Sequence, residues 1–168
     1  MTPWEKLALW LCIGVPVALL METWSRVLHG RVWHGPLWSL HRSHHTPQPG
    51  RFEVNDVLSV SHAPPALAAI LYGCVGPEGP VRELLFGAGL GMTAFGLAYI
   101  TIHDGLIHGR FPVQRLLRFR YFRRIRAAHL VHHERDAVPY GLFRGPAELR
   151  AARGKQRVAG AQLAPPAG

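Results

Sequence analysis

Ten of the eleven histidines fall into four tight clusters, and the order of the clusters is duplicated along the chain. His29-x4-His34 is followed by His41-x2-His44-His45, and His103-x4-His108 is followed by His129-x2-His132-His133. Only His62 stands apart. Neutral imidazole is the commonest nitrogen ligand of transition metals. A repeated array of ten imidazoles is therefore read as holding two metal ions. The fold must then bring four separated segments to one level.

The spacing predicts local geometry. Offsets of three and four residues place His41, His44 and His45 on one face of a helix, and likewise His129, His132 and His133. An offset of five does not share a face on an α-helix, because the second ring is turned by roughly 140° at about 100° per residue. The pairs His29/His34 and His103/His108 therefore require a helix end or bend between them, or else they face different ions. Gly30, Gly35-Pro36 and Gly105 offer such breaks. No cysteine or carboxylate belongs to the clusters. Zinc-finger, iron–sulfur and two-histidine-one-carboxylate sites match poorly. Imidazole alone suits iron, zinc, copper or nickel without choosing among them.

The apolar residues define the setting. Leu84 to Ile102 is nineteen residues without a charge, close to the 20 or so that cross a hydrocarbon core. Its glycines, at 87, 89, 91 and 96, suit close packing between membrane helices. Leu7 to Met21 is a second run, with Pro16 as an expected kink and Trp4 and Trp24 at its ends. Glu5 beside Lys6 and the lack of a small-x-small site argue for a retained span rather than a signal peptide. Val57 to Val75 is a third run, interrupted by Pro64-Pro65. It reads as one kinked span or as a short interfacial helix leading into a span. Cys12 and Cys74 lie in these runs and read as small buried residues.

The fold class expected is thus all-α, an integral membrane helical bundle of three to four spans with a histidine-rich di-metal site at its cytoplasmic face. Residues 1–150 form the membrane-embedded domain. The Ala-, Gly-, Pro- and base-rich tail at 151–168 is expected to be disordered. Between His103 and Asp136 there are eight arginines against three acids, which places that side in the cytoplasm. The net charge of +9 invites a nucleic-acid reading. An arginine-rich segment beside hydrophobic spans fits anionic lipid head groups or an acidic electron donor better.

Beyond the histidines, Phe52-Glu53-Val54-Asn55-Asp56 follows the first triplet, and His103-Asp104-Gly105-Leu106-Ile107-His108 precedes Arg110. With His129-Leu130-Val131-His132-His133, these segments resemble the fatty acid hydroxylase superfamily of membrane di-iron oxygenases. Within it they resemble the bacterial β-carotene hydroxylases, over roughly Met21 to Pro146. Gly35-Pro36-Leu37-Trp38 replaces a tryptophan-rich run, and the stretch from His133 to Tyr140 is short.

The resemblance implies two irons held by the ten clustered histidines, with zinc as a substitute in purified protein, and O2 as co-substrate. It implies β-carotene as substrate, hydroxylated on its β-ionone rings to β-cryptoxanthin and zeaxanthin. Electrons would come from ferredoxin and its reductase, in the bacterial cytoplasmic membrane. Glu22, Asn55, Asp56, Asp104 and Glu134 are near enough in sequence to orient the imidazoles. Two other readings stand beside this one. One is a related hydroxylase, ketolase or desaturase acting on another carotenoid, a sterol or a fatty acid. The other is a membrane metal-binding protein without catalysis.

Overall fold

The computed structural model describes residues 1–46 and 52–162. Helix α1 spans Pro3–Val27 and α2 Trp38–His45; a short α3, Asp56–Ser59, leads into α4, Ala63–Val75. Helix α5 covers Pro80–Ile100, α6 Arg120–Arg135 and α7 Gly145–Gln162. No strand occurs among the described residues. Helices α1 and α5 do not stop at their ends. Each widens into a π turn, at Leu28–Trp33 and at Thr101–Ile107.

Three helical segments are long and apolar enough to cross a membrane: Pro3–Trp33, Asp56–Val75 and Pro80–Ile107. The first begins with a capping box, in which Glu5 N–H donates to Thr2 Oγ1 and Thr2 N–H donates to the Glu5 carboxylate. It then runs as helix through Pro16. The third run takes the form of a short helix followed by a span, with the break at Val60–His62.

Small residues set the packing of the spans. Helix α5 lies between α1 and α4, and its glycines divide between the two neighbours. Gly91 meets the backbone of Gly14 so closely that a Cβ on it would strike the Gly14 carbonyl. Gly89, on the opposite face, leaves only 2.8 Å between a built Cβ and Ile70. Side chains here would hold the helices apart. Close backbone approach supplies the attraction that the hydrophobic effect cannot supply in lipid. The outward faces carry an apolar belt of exposed residues, among them Leu11, Leu19, Leu67, Leu71 and Leu97. Cys12 and Cys74 lie on this exposed surface, against the expectation that they are buried. In a bilayer, an apolar surface position is as suitable for a thiol as a core.

The bundle has two distinct ends. At one, Trp10 donates to Glu83 at 2.7 Å and Lys6 lies 3.6 Å from the same carboxylate. This fastens the start of α1 beside the α4–α5 turn. At the other end α1 and α5 deliver the histidines. There the core of Met21, Phe95, Tyr99, Ile102, Leu106, Ile107, Ile125 and Leu142 closes beneath them.

Helix α7 differs from expectation. It continues to Gln162, through much of the tail for which composition predicts disorder. Alanine, arginine, glutamine and lysine are strong helix formers, and the start of the helix rests on α6, with Gly145 against Ala128. Residues 163–168 lie outside the described residues.

Candidate metal centre

The two π turns resolve the histidine pairs. In a π turn the hydrogen bond runs from residue i+5 to residue i, so residues five apart lie one above the other. In both turns the histidines themselves close this bond. The His34 N–H donates to the His29 carbonyl at 3.0 Å, and the His108 N–H donates to the His103 carbonyl at 3.1 Å. The expected bend or helix end is replaced by a continuous widened turn, and both rings of each pair serve the same group. Gly30 and Gly105 serve packing rather than breakage. A Cβ on Gly30 would lie 2.8 Å from the Tyr140 ring, and one on Gly105 would lie 2.8 Å from Val113.

All ten clustered histidines converge, and His62 does not. His29, His34, His41, His45 and His132 form one group whose ring nitrogens lie within 4.8 Å of one another. His44, His103, His108 and His129 form a second group on the same criterion. His133 adjoins the second group, with its Nε2 2.9 Å from that of His129, and its ring stacks on His45 at 4.4 Å. Each triplet sends its middle member across. His44, from the first half of the chain, enters the second group, and His132, from the second half, enters the first. His62 instead accepts a hydrogen bond from Trp24 at 2.8 Å.

The ring orientations are fixed from behind. His29 Nδ1 donates to the Tyr140 carbonyl at 2.9 Å, His41 Nδ1 to Asn55 Oδ1 at 2.7 Å, and His132 Nδ1 to the Ala137 carbonyl at 2.7 Å. His44 Nδ1 donates to Glu53 at 3.1 Å and His103 Nδ1 to Asp104 at 2.8 Å. His45 Nδ1 lies 2.7 Å from Asp136 Oδ1, outside hydrogen-bond geometry. The hydrogen-bonded partners accept and do not donate, so each Nδ1 they bind carries the proton and the corresponding Nε2 presents a lone pair. Such partners normally hold metal-bound imidazoles.

Those lone pairs point at each other. The Nε2 atoms of His29 and His41 are 3.0 Å apart, although both rings already spend their single proton on Nδ1. Buried and facing, two acceptors repel unless a cation lies between them. His44 Nε2 is buried with no hydrogen-bond partner among the described residues. Burial also keeps the rings neutral. It pushes His41 down to about 4 and His34, His45 and His108 down to about 3, and neighbouring imidazoles add to the effect. Burial likewise pushes His133 down to about 2, and His44 and His129 well below the usual histidine range. Neutral, converging, unpartnered nitrogens fit a pair of metal ions.

The partners behind the two groups differ in charge. Behind the first stand two backbone carbonyls, an amide and Asp136. Behind the second stand Glu53 and Asp104, and Arg110 governs both. Arg110 reaches Glu53 at 2.6 Å and Asp56 at 2.7 Å, and lies 4.0 Å from Asp104. Of the acids expected to orient imidazoles, Asn55's neighbour Asp56 holds Arg110 instead. Glu22 is buried and accepts from the Arg144 N–H at 2.9 Å, and Glu134 is exposed. Glu53, Asp136 and the two carbonyls were not foreseen. Glu53 lies in the Phe52–Asp56 segment, while nothing in a sequence marks which carbonyl will face a ring.

Fold and site together define a membrane-embedded helical protein with a ten-histidine di-metal-type centre at one end of its bundle. The chain belongs to the fatty acid hydroxylase family, which it matches over residues 14–146. It is 48% identical over 146 residues to a chloroplastic "Beta-carotene 3-hydroxylase" of Gentiana lutea, covering 86% of this chain and 45% of that protein. It is 46% identical over 148 residues to "Beta-carotene 3-hydroxylase 2, chloroplastic" of Arabidopsis thaliana, covering 87% and 48%. It is 38% identical over 139 residues to a "Beta-carotene hydroxylase" of Pseudescherichia vulneris, covering 79% and 76%. The chain thus spans about half the length of the plant relatives it matches. No solved structure matches it significantly.

Proposed function

We propose that the chain is a membrane di-iron oxygenase that hydroxylates the β-ionone rings of β-carotene, giving β-cryptoxanthin and then zeaxanthin. The observation that carries this reading is the pair of converging imidazole groups at the end of an apolar bundle. Metal held there would act where the apolar spans end, within reach of a substrate dissolved in lipid. The relatives named above supply the substrate class.

His29, His34, His41, His45 and His132 would hold one iron, and His44, His103, His108, His129 and His133 the other. Bound iron supplies reductive activation of O2 and attack on an unactivated C–H bond, which no side chain of the chain can provide. Each hydroxylation consumes one O2, two electrons and two protons, and yields one C–OH and one water. The chain's own residues hold His29, His41, His44, His103 and His132 in one tautomer through their Nδ1 partners and exclude water with the aromatic floor of Trp33 and Tyr99. Their rings lie against His29 and His103.

Reduced ferredoxin and its reductase are the electron source in this reading, in the cytoplasmic membrane of a bacterium with the metal end facing the cytoplasm. The arginine-rich segment Arg115–Arg126 supports that orientation and offers a basic surface to an acidic donor or to anionic lipid.

The test is the pigment profile of cells that accumulate β-carotene, with and without this protein. β-Cryptoxanthin and zeaxanthin should appear with the wild type and be absent with His132→Ala. A hydroxylated sterol or fatty acid with unchanged pigments would reassign the substrate. No change in any lipid from an iron-loaded protein with a competent donor would favour metal binding without catalysis.

A further inference from the structure

A lateral groove of about 330 Å³ opens between α4 and α5 on the face that looks into lipid. Ala63, Ala66 and Leu67 form one wall and Met92, Gly96 and Leu97 the other. Leu67 and Leu97 stand exposed at its rim. The groove shares Ser59, His62, Met92 and Gly96 with a smaller inner pocket of about 40 Å³. Trp33 and Tyr99 line that inner pocket. The Trp33 ring lies 5.6 Å from both His29 and His41, of the first group, and Tyr99 stacks on His103, of the second, at 4.8 Å. The passage therefore begins in lipid and ends one aromatic ring short of both halves of the histidine centre. The other large hollows do not. One lies against Lys6 and Glu83 at the far end of the bundle, and another on the outer surface of α7.

We propose that this groove is the entrance by which one ring end of the carotenoid passes from the bilayer to the histidine centre, and that Gly96 keeps it open. The inference rests on the function proposed above and adds to it a route and a gatekeeping position. A ring at the end of a long apolar chain cannot approach through water, so its path must be apolar and open sideways into lipid. This groove is both. The inner pocket is narrow for a ring, and Met92, common to both hollows, is the unbranched and adaptable side chain that can yield. At the inner end Ser25 and Ser59 offer hydroxyls, a polar finish suited to a ring that leaves carrying an oxygen. Trp24 and His62 tie α1 to the start of α4 beside this point, which fixes the width of the passage.

Gly96 is the informative residue. A Cβ built on it meets no atom within 4 Å. Elsewhere in the bundle, at Gly89 and Gly91, glycine is required because another helix presses against it. No atom of the described residues presses on that position, and the space beside it is open.

The test compares three variants in carotene-accumulating cells, with metal content measured on each purified protein. Gly96→Leu fills the groove from a position whose Cβ meets no described atom within 4 Å, and Ala63→Phe narrows it from the other wall. Ala68→Phe adds the same bulk on α4 away from the groove. Gly96→Leu and Ala63→Phe should lower hydroxylated carotenoid at least tenfold with metal content unchanged, and Ala68→Phe should match the wild type. If Gly96→Leu loses metal or fails to accumulate, Ala63→Phe decides. Undiminished conversion with metal retained in Gly96→Leu or Ala63→Phe overturns the entrance, as does an equal loss in Ala68→Phe. A wild type that holds metal yet converts no carotene in the same cells overturns the proposed function instead.

Discussion

Replacing Arg110 with methionine should weaken one metal position and spare the other. The guanidinium makes contacts of 2.6 Å to Glu53 and 2.7 Å to Asp56, with the Arg110 side chain only 16% exposed. Glu53 in turn accepts the Nδ1 proton of His44, and Asp104, 4.0 Å from Arg110, accepts that of His103. Without Arg110 three carboxylates face one another with no counter-charge. Breaking a largely buried pair on one side costs about 3–5 kcal/mol. The carboxylates relax by turning toward water, and His44 and His103 lose their orientation. Partners of this kind are worth about 10- to 100-fold in metal affinity, or about 1.4–2.8 kcal/mol at 1.4 kcal/mol per tenfold. The first group is insulated from the change. Its nearest partner in that segment, Asn55, is separately anchored by a hydrogen bond from its N–H to Ser43 at 2.9 Å. Metal content measured against increasing chelator should therefore show one of two ions leaving Arg110→Met at 10- to 100-fold lower chelator than in the wild type, with a plateau at one ion per chain. Arg110→Lys should fall between, since an ammonium cannot fork between two carboxylates. Parallel loss of both ions, or a wild-type curve, would refute the argument.

His62→Ala should retain about two metal ions per chain by elemental analysis while His132→Ala does not, because His62 is held by Trp24 outside both groups. Gly30→Ala should lower metal content, because its Cβ would lie 2.8 Å from the Tyr140 ring and displace the carbonyl that holds His29; a wild-type content would show that the Tyr140 loop adapts. The metal-free protein should lose thermal stability as pH falls from about 6.5 toward 4. Rings held near 3 to 4 in the folded chain bind protons more readily when unfolded, so stability is complete above the unfolded value and erodes below it; a melting temperature flat over that range would contradict the burial. A reporter inserted near Gly79 and one fused after Glu148 should lie on opposite sides of the membrane, the first outside and the second in the cytoplasm.

The histidine array and the apolar runs were enough to indicate a helical membrane protein with a two-group centre, because ligand type and hydrophobic length are properties of residues taken singly. The π turns were hidden by the assumption of an α repeat. On that repeat His29 and His34 point apart, yet the five-residue spacing is itself the π period, and its duplication at His103 and His108 was the available clue. The allocation of rings was not legible either. His41, His44 and His45 share a helix face, but which ring serves which group depends on where α6 lies. Glu53 and Asp136 act through tertiary approach, and the Tyr140 and Ala137 carbonyls carry no mark in a sequence. The helix over 151–162 was missed because a count of glycine and proline concealed the run of strong helix formers between them.

The crossing of His44 and His132 bears on how the protein matures. The spans hold together by close backbone packing, and that part needs no metal. Helices α2 and α6 are different: they meet largely through imidazoles, with His45 stacked on His133 at 4.4 Å and His44 edge-on to His133 at 4.6 Å. A layer of neutral rings with opposed lone pairs supplies little cohesion of its own. A loop closed between His34 and His132 encloses about a hundred residues, which by the chain-entropy estimate for a cross-link is worth about 4.7 kcal/mol. Metals bound here would then be the last fastening of the chain as well as, on the function proposed above, its reactive centre. Assembly would fall into two events. The apolar helices would enter the bilayer and pack, and the outer layer would close when metal draws both halves of the chain together.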